Sequence, residues 1–265
     1  MARVLVCRPD FFDVAYEINP WMSRARPPDS RVATAQWEAL IALLRGPLGV
    51  ELEVMAPVEG LPDLVFTANA GLVDGRRVVL SSFRHPERQG EAPHFRQWFV
   101  SHDFEVIDPP PRVFFEGAGD ALFLGDQLFA GYHFRSDIRS HEFVSAALGR
   151  HVLSLQLVDP RFYHLDTCFC PLDAETVALY PAAFDEYALR VIRDRVPRVL
   201  EVGDADAERF ACNAVVIGRR VAMNSGCEAL QAQLDGLGYE PHATPLDQFL
   251  RSGGSAKCLT LTLAP

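Results

Sequence analysis

Cys258 stands at the end of a glycine-rich turn, Phe249-Leu250-Arg251-Ser252-Gly253-Gly254-Ser255-Ala256-Lys257-Cys258, directly ahead of the alternating run Leu259–Leu263. Adjacent glycines admit backbone conformations and close approaches that a Cβ resists, and alternating leucine and threonine has the period of a strand. The expected placement is a thiol at a strand end, facing a cavity, where its thiolate would act as a nucleophile. A free cysteine is also a small hydrophobe that can simply cap a buried strand. The residues that share its spacing bear on which of the two it is.

Asn69, Glu116, His164, Asn213 and Cys258 recur at separations of 47, 48, 49 and 45 residues. Together they offer a thiol, an imidazole, a carboxylate and two amides. A cysteine with a histidine in reach suits covalent catalysis, the imidazole moving protons for leaving group and water. Glu116 and Asp166 add negative charge, and buried carboxylates are costly unless paired. A planar cation with several N–H donors, a guanidinium, is their complement. Taken singly, His164 could be a hydrogen-bonded core histidine, Asp166 a strand-end cap and Glu116 a solvated loop residue. The common period argues for a common pocket.

The elements that must position these residues repeat with the same period. Arg3–Arg8 reads as a strand, Arg31–Leu44 as a helix with Trp37, Leu40, Ile41 and Leu44 on one stripe, and Glu51–Met55 as a strand. A hairpin follows at Leu72–Leu80, turning on Asp74-Gly75. The cycle of helix, strand and hairpin then returns: Phe95–His102 and Glu105–Ile107 lead to a turn at Gly125-Asp126. Asp137–Leu148 and His151–Val158 lead to one at Asp173, and Phe184–Arg195 and Val199–Val202 to one at Gly218. Glu228–Leu237 and Tyr239–Pro245 lead to Cys258. A helix in every unit excludes the all-strand blades of ordinary propellers. The fold class expected is α/β: five ββαβ units in a five-fold pseudosymmetric α/β propeller, residues 1–265 forming a single catalytic domain. The fifth unit closes if the last strand pairs beside the first. An open α/β sheet with accidental spacing is the alternative.

A net charge of −10 over 265 residues argues against nucleic acid as the main partner and accords with a cationic small molecule. No apolar run approaches a membrane span, and Met1-Ala2-Arg3 leads directly into a strand, so the expected location is the cytoplasm, without a membrane partner. The six cysteines lack metal-ligand or disulfide-framework spacing, which makes reduced thiols the default; Cys168 and Cys170 would share one face of a strand. No metal and no cofactor are expected, since the chemistry needs only a thiolate. A homo-oligomer is left open.

Four stretches, LPDLVFTANAGLV (61–73), FEGAGDALF (115–123), FYHLDTCF (162–169) and SGGSAKCL (252–259), resemble the guanidine-modifying enzymes of the pentein fold. That superfamily includes arginine deiminases, dimethylarginine dimethylaminohydrolases, amidinotransferases and ammonia-releasing arginine dihydrolases. The resemblance implies attack by Cys258 on the guanidinium carbon, departure of ammonia or an amine, and hydrolysis of a thiouronium adduct by water that His164 activates. Glu116 completes the catalytic set. Substrate contacts are implied for Asp166, Arg135, Arg88, Asn19, Asn69, Phe66 and Asp63. Deiminases and dimethylarginine hydrolases characteristically carry an acid where this chain has Asn69, and Thr-Ala-Asn-Ala resembles the dihydrolases. An amide can accept from N–H or donate to C=O, so both a guanidinium and a ureido group could be held. Hydrolysis of arginine to ornithine, carbon dioxide and two ammonia molecules is therefore expected. The alternatives are a dimethylarginine hydrolase or arginine deiminase stopping at citrulline, with Asn69 only capping a turn, a transferase, or a non-catalytic binding module of the same fold.

Overall fold

In the computed structural model, which describes residues 2–264, β1 (Arg3–Cys7) and β2 (Glu51–Met55) pair in parallel on either side of the helix Ser30–Arg45 in the chain. The helix starts where the Asp29 carboxylate accepts from the N–H groups of Arg31 and Val32. It buries Ala33, Trp37, Leu40, Ile41 and Leu44 along one stripe. Parallel pairing needs such a crossover, whereas antiparallel strands need only a turn.

Both devices recur. β3 (Gly71–Asp74) and β4 (Arg77–Leu80) form a hairpin, and β4 pairs in parallel with β5 (Glu105–Ile107) after the helix Ala92–Ser101. β6 (Ala121–Leu124), β7 (Gln127–Tyr132) and β8 (Val152–Gln156) repeat this around the helix Ile138–Leu148. So do β9 (Phe169–Pro171), β10 (Thr176–Leu179) and β11 (Arg198–Glu201) with Glu186–Arg195. The next unit has β12 (Val215–Ile217), β13 (Arg220–Asn224) and β14 (Glu240–Thr244), with Glu228–Gly236. β15 (Leu261–Ala264) lies antiparallel to β1, so the fifth sheet, β15-β1-β2, is assembled from both ends of the chain. The result is five three-stranded sheets of ββαβ connectivity, as expected.

Two local expectations are corrected. The strand expected from Leu259 begins at Leu261, because Leu259 N–H donates to the Ser255 carbonyl and Thr260 N–H to that of Lys257, making a helical turn first. Cys258 therefore sits on this turn, ahead of the strand. Cys168 and Cys170 do not share a strand: Cys168 ends the short 3-10 turn Leu165–Thr167, and β9 begins at Phe169.

One apolar cluster joins the helix Ser30–Arg45 to Phe66, Phe249, Ala256, Cys258 and Leu259. Phe12, from the irregular segment before that helix, stacks on Phe249 at 4.8 Å and meets Phe66 edge-on at 5.8 Å. That contact fastens the N-terminal loop over the turn that carries the thiol.

Candidate active site

The five periodic residues meet on the axis, and hydrogen bonds run from each unit to the next. Asn69 Nδ2 donates to the Glu116 carbonyl at 3.0 Å, and the Glu116 carboxylate lies 2.8 Å from His164 Nε2. Two residues beyond His164, the Asp166 carbonyl accepts from Asn213 Nδ2 at 3.0 Å. Asn213 Oδ1 accepts from Cys258 N–H at 3.1 Å, and Ala68 N–H returns to the Cys258 carbonyl at 3.1 Å. The circuit closes beside Asn69. All five side chains are buried.

Asn213 Nδ2 also lies 3.1 Å from Cys258 Sγ, so a thiolate formed there has a donor waiting. On another side the sulfur is 3.6 and 3.8 Å from the two Asp166 carboxylate oxygens. Burial, followed by the Asp166 charge, pushes the Cys258 thiol well above its ordinary value. Burial also raises the Asp166 carboxyl to about 7, against the pull of Lys257. The resting nucleophile is thus a thiol. A cation entering beside it would reverse the local electrostatics and favour the thiolate.

Glu116 behaves oppositely. Burial acts against its charge, yet the Arg135 guanidinium at 3.1 Å and the His164 ring hold it well below the usual carboxylate range. Its other oxygen accepts the backbone N–H of Arg84 at 3.2 Å. A fixed carboxylate at Nε2 orients the imidazole. Behind this pair, Asp120 accepts from Ser136 Oγ at 2.6 Å and from Leu165 N–H at 3.1 Å, while Ser136 Oγ takes the N–H of Glu116 at 2.9 Å. The backbone on both sides of His164 and Glu116 is therefore anchored.

Cys258 and His164 line one cleft, with an empty volume of about 250 Å³, together with Asn69, Asp63, Phe66 and Asn19. Arg88 and Arg135 also reach it. Arg88 is clamped by Glu91 through two 2.8 Å bonds and stands 4.7 Å above the Phe83 ring. Its Nη1 donates to Asn69 Oδ1 at 2.9 Å. Arg135 donates to the Ile18 carbonyl at 3.2 Å and lies 4.5 Å over Tyr163. Asp63 takes the Tyr16 hydroxyl on Oδ2 at 2.9 Å, but its buried Oδ1 has no hydrogen-bond partner among the described residues, nor has Ser252 Oγ.

The sequence candidates thus converge, with three revisions. Asp166 does not line the cleft and sits against the sulfur. Asn19 reaches the cleft with its amide already used, Nδ2 on the Ser252 carbonyl at 3.0 Å and Oδ1 on Trp21 N–H at 2.9 Å; it clamps the N-terminal loop to the glycine turn. Asn69 cannot turn freely between donating and accepting. Arg88 can only donate and the Glu116 carbonyl can only accept, so the amide is locked, with one N–H and one lone pair to spare.

Functional residues also lie outside the candidates named from sequence. Asn213 shares the period, but only the structure shows its bonds to the Cys258 sulfur and N–H. Gly119 packs so closely that a Cβ on it would overlap Asn69 Nδ2. Tyr163 donates its hydroxyl to the Gly253 carbonyl at 2.7 Å, where φ is +79° and a Cβ would lie 2.8 Å from that hydroxyl. No local pattern marks such contacts. Among the described residues no cluster of three or more His, Cys, Asp or Glu could hold a metal ion, and no helix is long and apolar enough to cross a membrane.

With this geometry, residues 22–264 match the profile of the family described as N,N dimethylarginine dimethylhydrolase, eukaryotic. The chain belongs to this family. It is 49% identical over 264 residues to a bifunctional arginine dihydrolase/ornithine cyclodeaminase of Nostoc, covering 98% of this chain and 37% of that protein. It is 43% identical to an N(G),N(G)-dimethylarginine dimethylaminohydrolase of Mycobacterium tuberculosis, over 99% of this chain and 86% of that one. Its structure superposes with a TM-score of 0.97 on the N-terminal domain of a cyanobacterial arginine dihydrolase, a cysteine-to-serine variant bound to substrate. That match has 46% identity and covers 100% of this chain and 98% of the other. The chain thus spans little more than a third of the bifunctional relative's length, and the pentein resemblance drawn from its motifs agrees with these matches.

Proposed function

We propose that residues 1–265 form one catalytic unit that hydrolyses free L-arginine to ornithine, carbon dioxide and two ammonia molecules. The observation that carries this reading is the closed axial circuit, which has the Cys258 thiol and the His164 ring on one cleft, with Glu116 bonded to the imidazole. The guanidinium enters the cleft beside Cys258 and His164, with the Glu116 carboxylate behind the imidazole and Asp166 behind the sulfur, and its charge lowers the thiol's affinity for its proton. The thiol's proton passes to His164 as the sulfur attacks the guanidinium carbon, His164 returns it to the departing nitrogen, the C–N bond breaks to release ammonia, and a thiouronium adduct remains. His164 then takes a proton from water as it attacks the adduct, and the C–S bond breaks to leave a ureido group. The amino-acid end lies toward the bare Asp63 oxygen, which suits its ammonium, and toward Arg88 and Arg135, which suit its carboxylate.

The locked Asn69 amide supports a second round. Its spare N–H donates to a ureido oxygen where a carboxylate would repel it, so the first product stays for another attack by Cys258. That attack expels the second ammonia, a second water breaks the C–S bond to return the thiol and leave a carbamate on the ornithine nitrogen, and the carbamate C–N bond breaks to release carbon dioxide. In sum, one arginine and two waters give one ornithine, one carbon dioxide and two ammonia. The Nostoc relative's name supports this choice, and the mycobacterial relative's name favours the second reading, a dimethylarginine hydrolase stopping at citrulline.

A mass-spectrometric product assay with arginine, citrulline and dimethylarginine offered separately tests both. Ornithine from arginine, abolished in Cys258→Ser, is expected. Citrulline as the sole product, above all from dimethylarginine, overturns the two-step reading and leaves the thiol chemistry standing.

A further inference from the structure

Asn213 is fully buried and does not line the substrate cleft, yet its side chain reaches the sulfur. Two hydrogen bonds settle which end of its amide does so. Oδ1 accepts the Cys258 N–H at 3.1 Å, and Nδ2 donates to the Asp166 carbonyl at 3.0 Å. An N–H can only donate and a carbonyl can only accept, so the amide cannot be reversed, and it is Nδ2 that lies 3.1 Å from Cys258 Sγ. The Asp166 carboxylate, 3.6 and 3.8 Å from the same sulfur, suits an S–H and opposes a thiolate. The amide does the reverse.

The backbone of Asn213 is held as firmly as its side chain. Its carbonyl accepts the Lys257 N–H at 3.2 Å, and its own N–H donates to the Phe210 carbonyl at 2.9 Å. Phe210 is a buried residue other than glycine at φ +56°, a conformation that persists only where the surroundings enforce it and that gathers at functional sites. This strained turn presents the amide to the thiol of the next unit.

We propose that Asn213 is a catalytic residue whose Nδ2–H stabilises the negative charge gathering on Cys258 Sγ, first as the thiol gives up its proton to attack and again as the C–S bond breaks and its electron pair returns to the sulfur. This rests on the thiol reading of the cleft. The proton itself moves through His164. The amide gives up none, so it serves both hydrolytic rounds without being reset. Its bond to the Cys258 N–H is a separate task, which fixes where the sulfur stands.

Two variants separate these tasks. Asn213→Asp keeps an oxygen for the Cys258 N–H and takes the amide donor from the sulfur, whereas Asn213→Leu removes both. Iodoacetamide labelling of Cys258 at pH 8, followed by peptide mass, reads the sulfur without any substrate. Loss of a hydrogen bond to a charged group corresponds to about a ten- to hundredfold change, and both variants should label more slowly than wild type by about that factor. With arginine, kcat should fall at least as far and KM should change little, because Asn213 does not line the cleft. Thermal unfolding checks each variant, and a folded Asn213→Asp decides the matter even where Asn213→Leu does not fold. Wild-type labelling and kcat in Asn213→Asp would leave only the anchoring bond and overturn the proposal, as would a raised KM with kcat unchanged. Turnover that survives Cys258→Ser would instead refute the thiol reading itself, whatever the labelling rates.

Discussion

Replacing Gly119 by alanine should uncouple the two hydrolytic steps. A Cβ at this position would overlap Asn69 Nδ2, while it would meet His164 Cγ at an ordinary 3.5 Å. The displaced amide would lose its bond to the Glu116 carbonyl at 3.0 Å and its bond from Arg88 at 2.9 Å. The first is worth about 1 kcal/mol net and the second, which involves a charge, about 1.5–3 kcal/mol. A total near 3 kcal/mol corresponds to roughly a hundredfold change in rate or partition. If the ureido product is retained by the Asn69 donor, the ornithine-to-citrulline ratio from arginine should fall by about that factor, with first-step ammonia release reduced far less. The assay is quenched-flow mass spectrometry over a single turnover, with thermal unfolding measured on the same sample, since overpacking alone costs about 1–3 kcal/mol of stability. A stable Gly119→Ala protein that makes ornithine and citrulline in the wild-type ratio would refute the assignment of Asn69 to the second step.

Three further outcomes are expected. Asp63→Asn should raise KM for arginine by about ten- to a hundredfold, because a charge-assisted bond of about 1.5–3 kcal/mol is lost, with kcat changed little; steady-state kinetics showing an unchanged KM would contradict it. Burial raises Asp166 from 3.8 to about 7, so the native protein holds a proton there that the unfolded chain releases. That contribution is complete below about pH 4 and lost as pH rises through about 7, so Asp166→Asn should gain roughly 2–4 kcal/mol relative to wild type between pH 4 and pH 8, as thermal melts across that range would record. Because Asp166 and burial raise the Cys258 thiol, its iodoacetamide rate should still be climbing at pH 9, and a bound amidinium small enough to leave the sulfur open should shift the profile to lower pH; superimposed profiles would contradict substrate-assisted ionisation.

The recurrence of Asn69, Glu116, His164, Asn213 and Cys258 carried the architecture because a pseudosymmetric fold converts equal spacing into shared position. The hairpin turns at Gly75, Gly125 and Gly218, all with positive φ, follow from chemistry visible in the letters. What the residues of a unit meet across the axis was not legible. Asn69 is locked by Arg88, nineteen residues away, and by the Glu116 backbone, forty-seven away, and neither contact leaves a mark on local periodicity. The type of residue at Asp166 suggests a partner for a guanidinium, but only the 3-10 turn Leu165–Thr167 shows that its carboxylate lies against the sulfur. The delayed start of β15 has a similar origin, in backbone bonds from Leu259 and Thr260 that compete with the ladder.

The pairing of β15 with β1 brings together residues more than 250 positions apart, such as Leu5 and Leu261. Contacts so distant in sequence carry a heavy loop-closure cost and form late in folding. A nascent chain still emerging from the ribosome can build four of the sheets before it owns the strand that completes the fifth, and the thiol is translated with that last piece. Labelling of Cys258 would then serve as a clock for the final closure, since the turn that carries the thiol is fixed only once β15 has paired with β1.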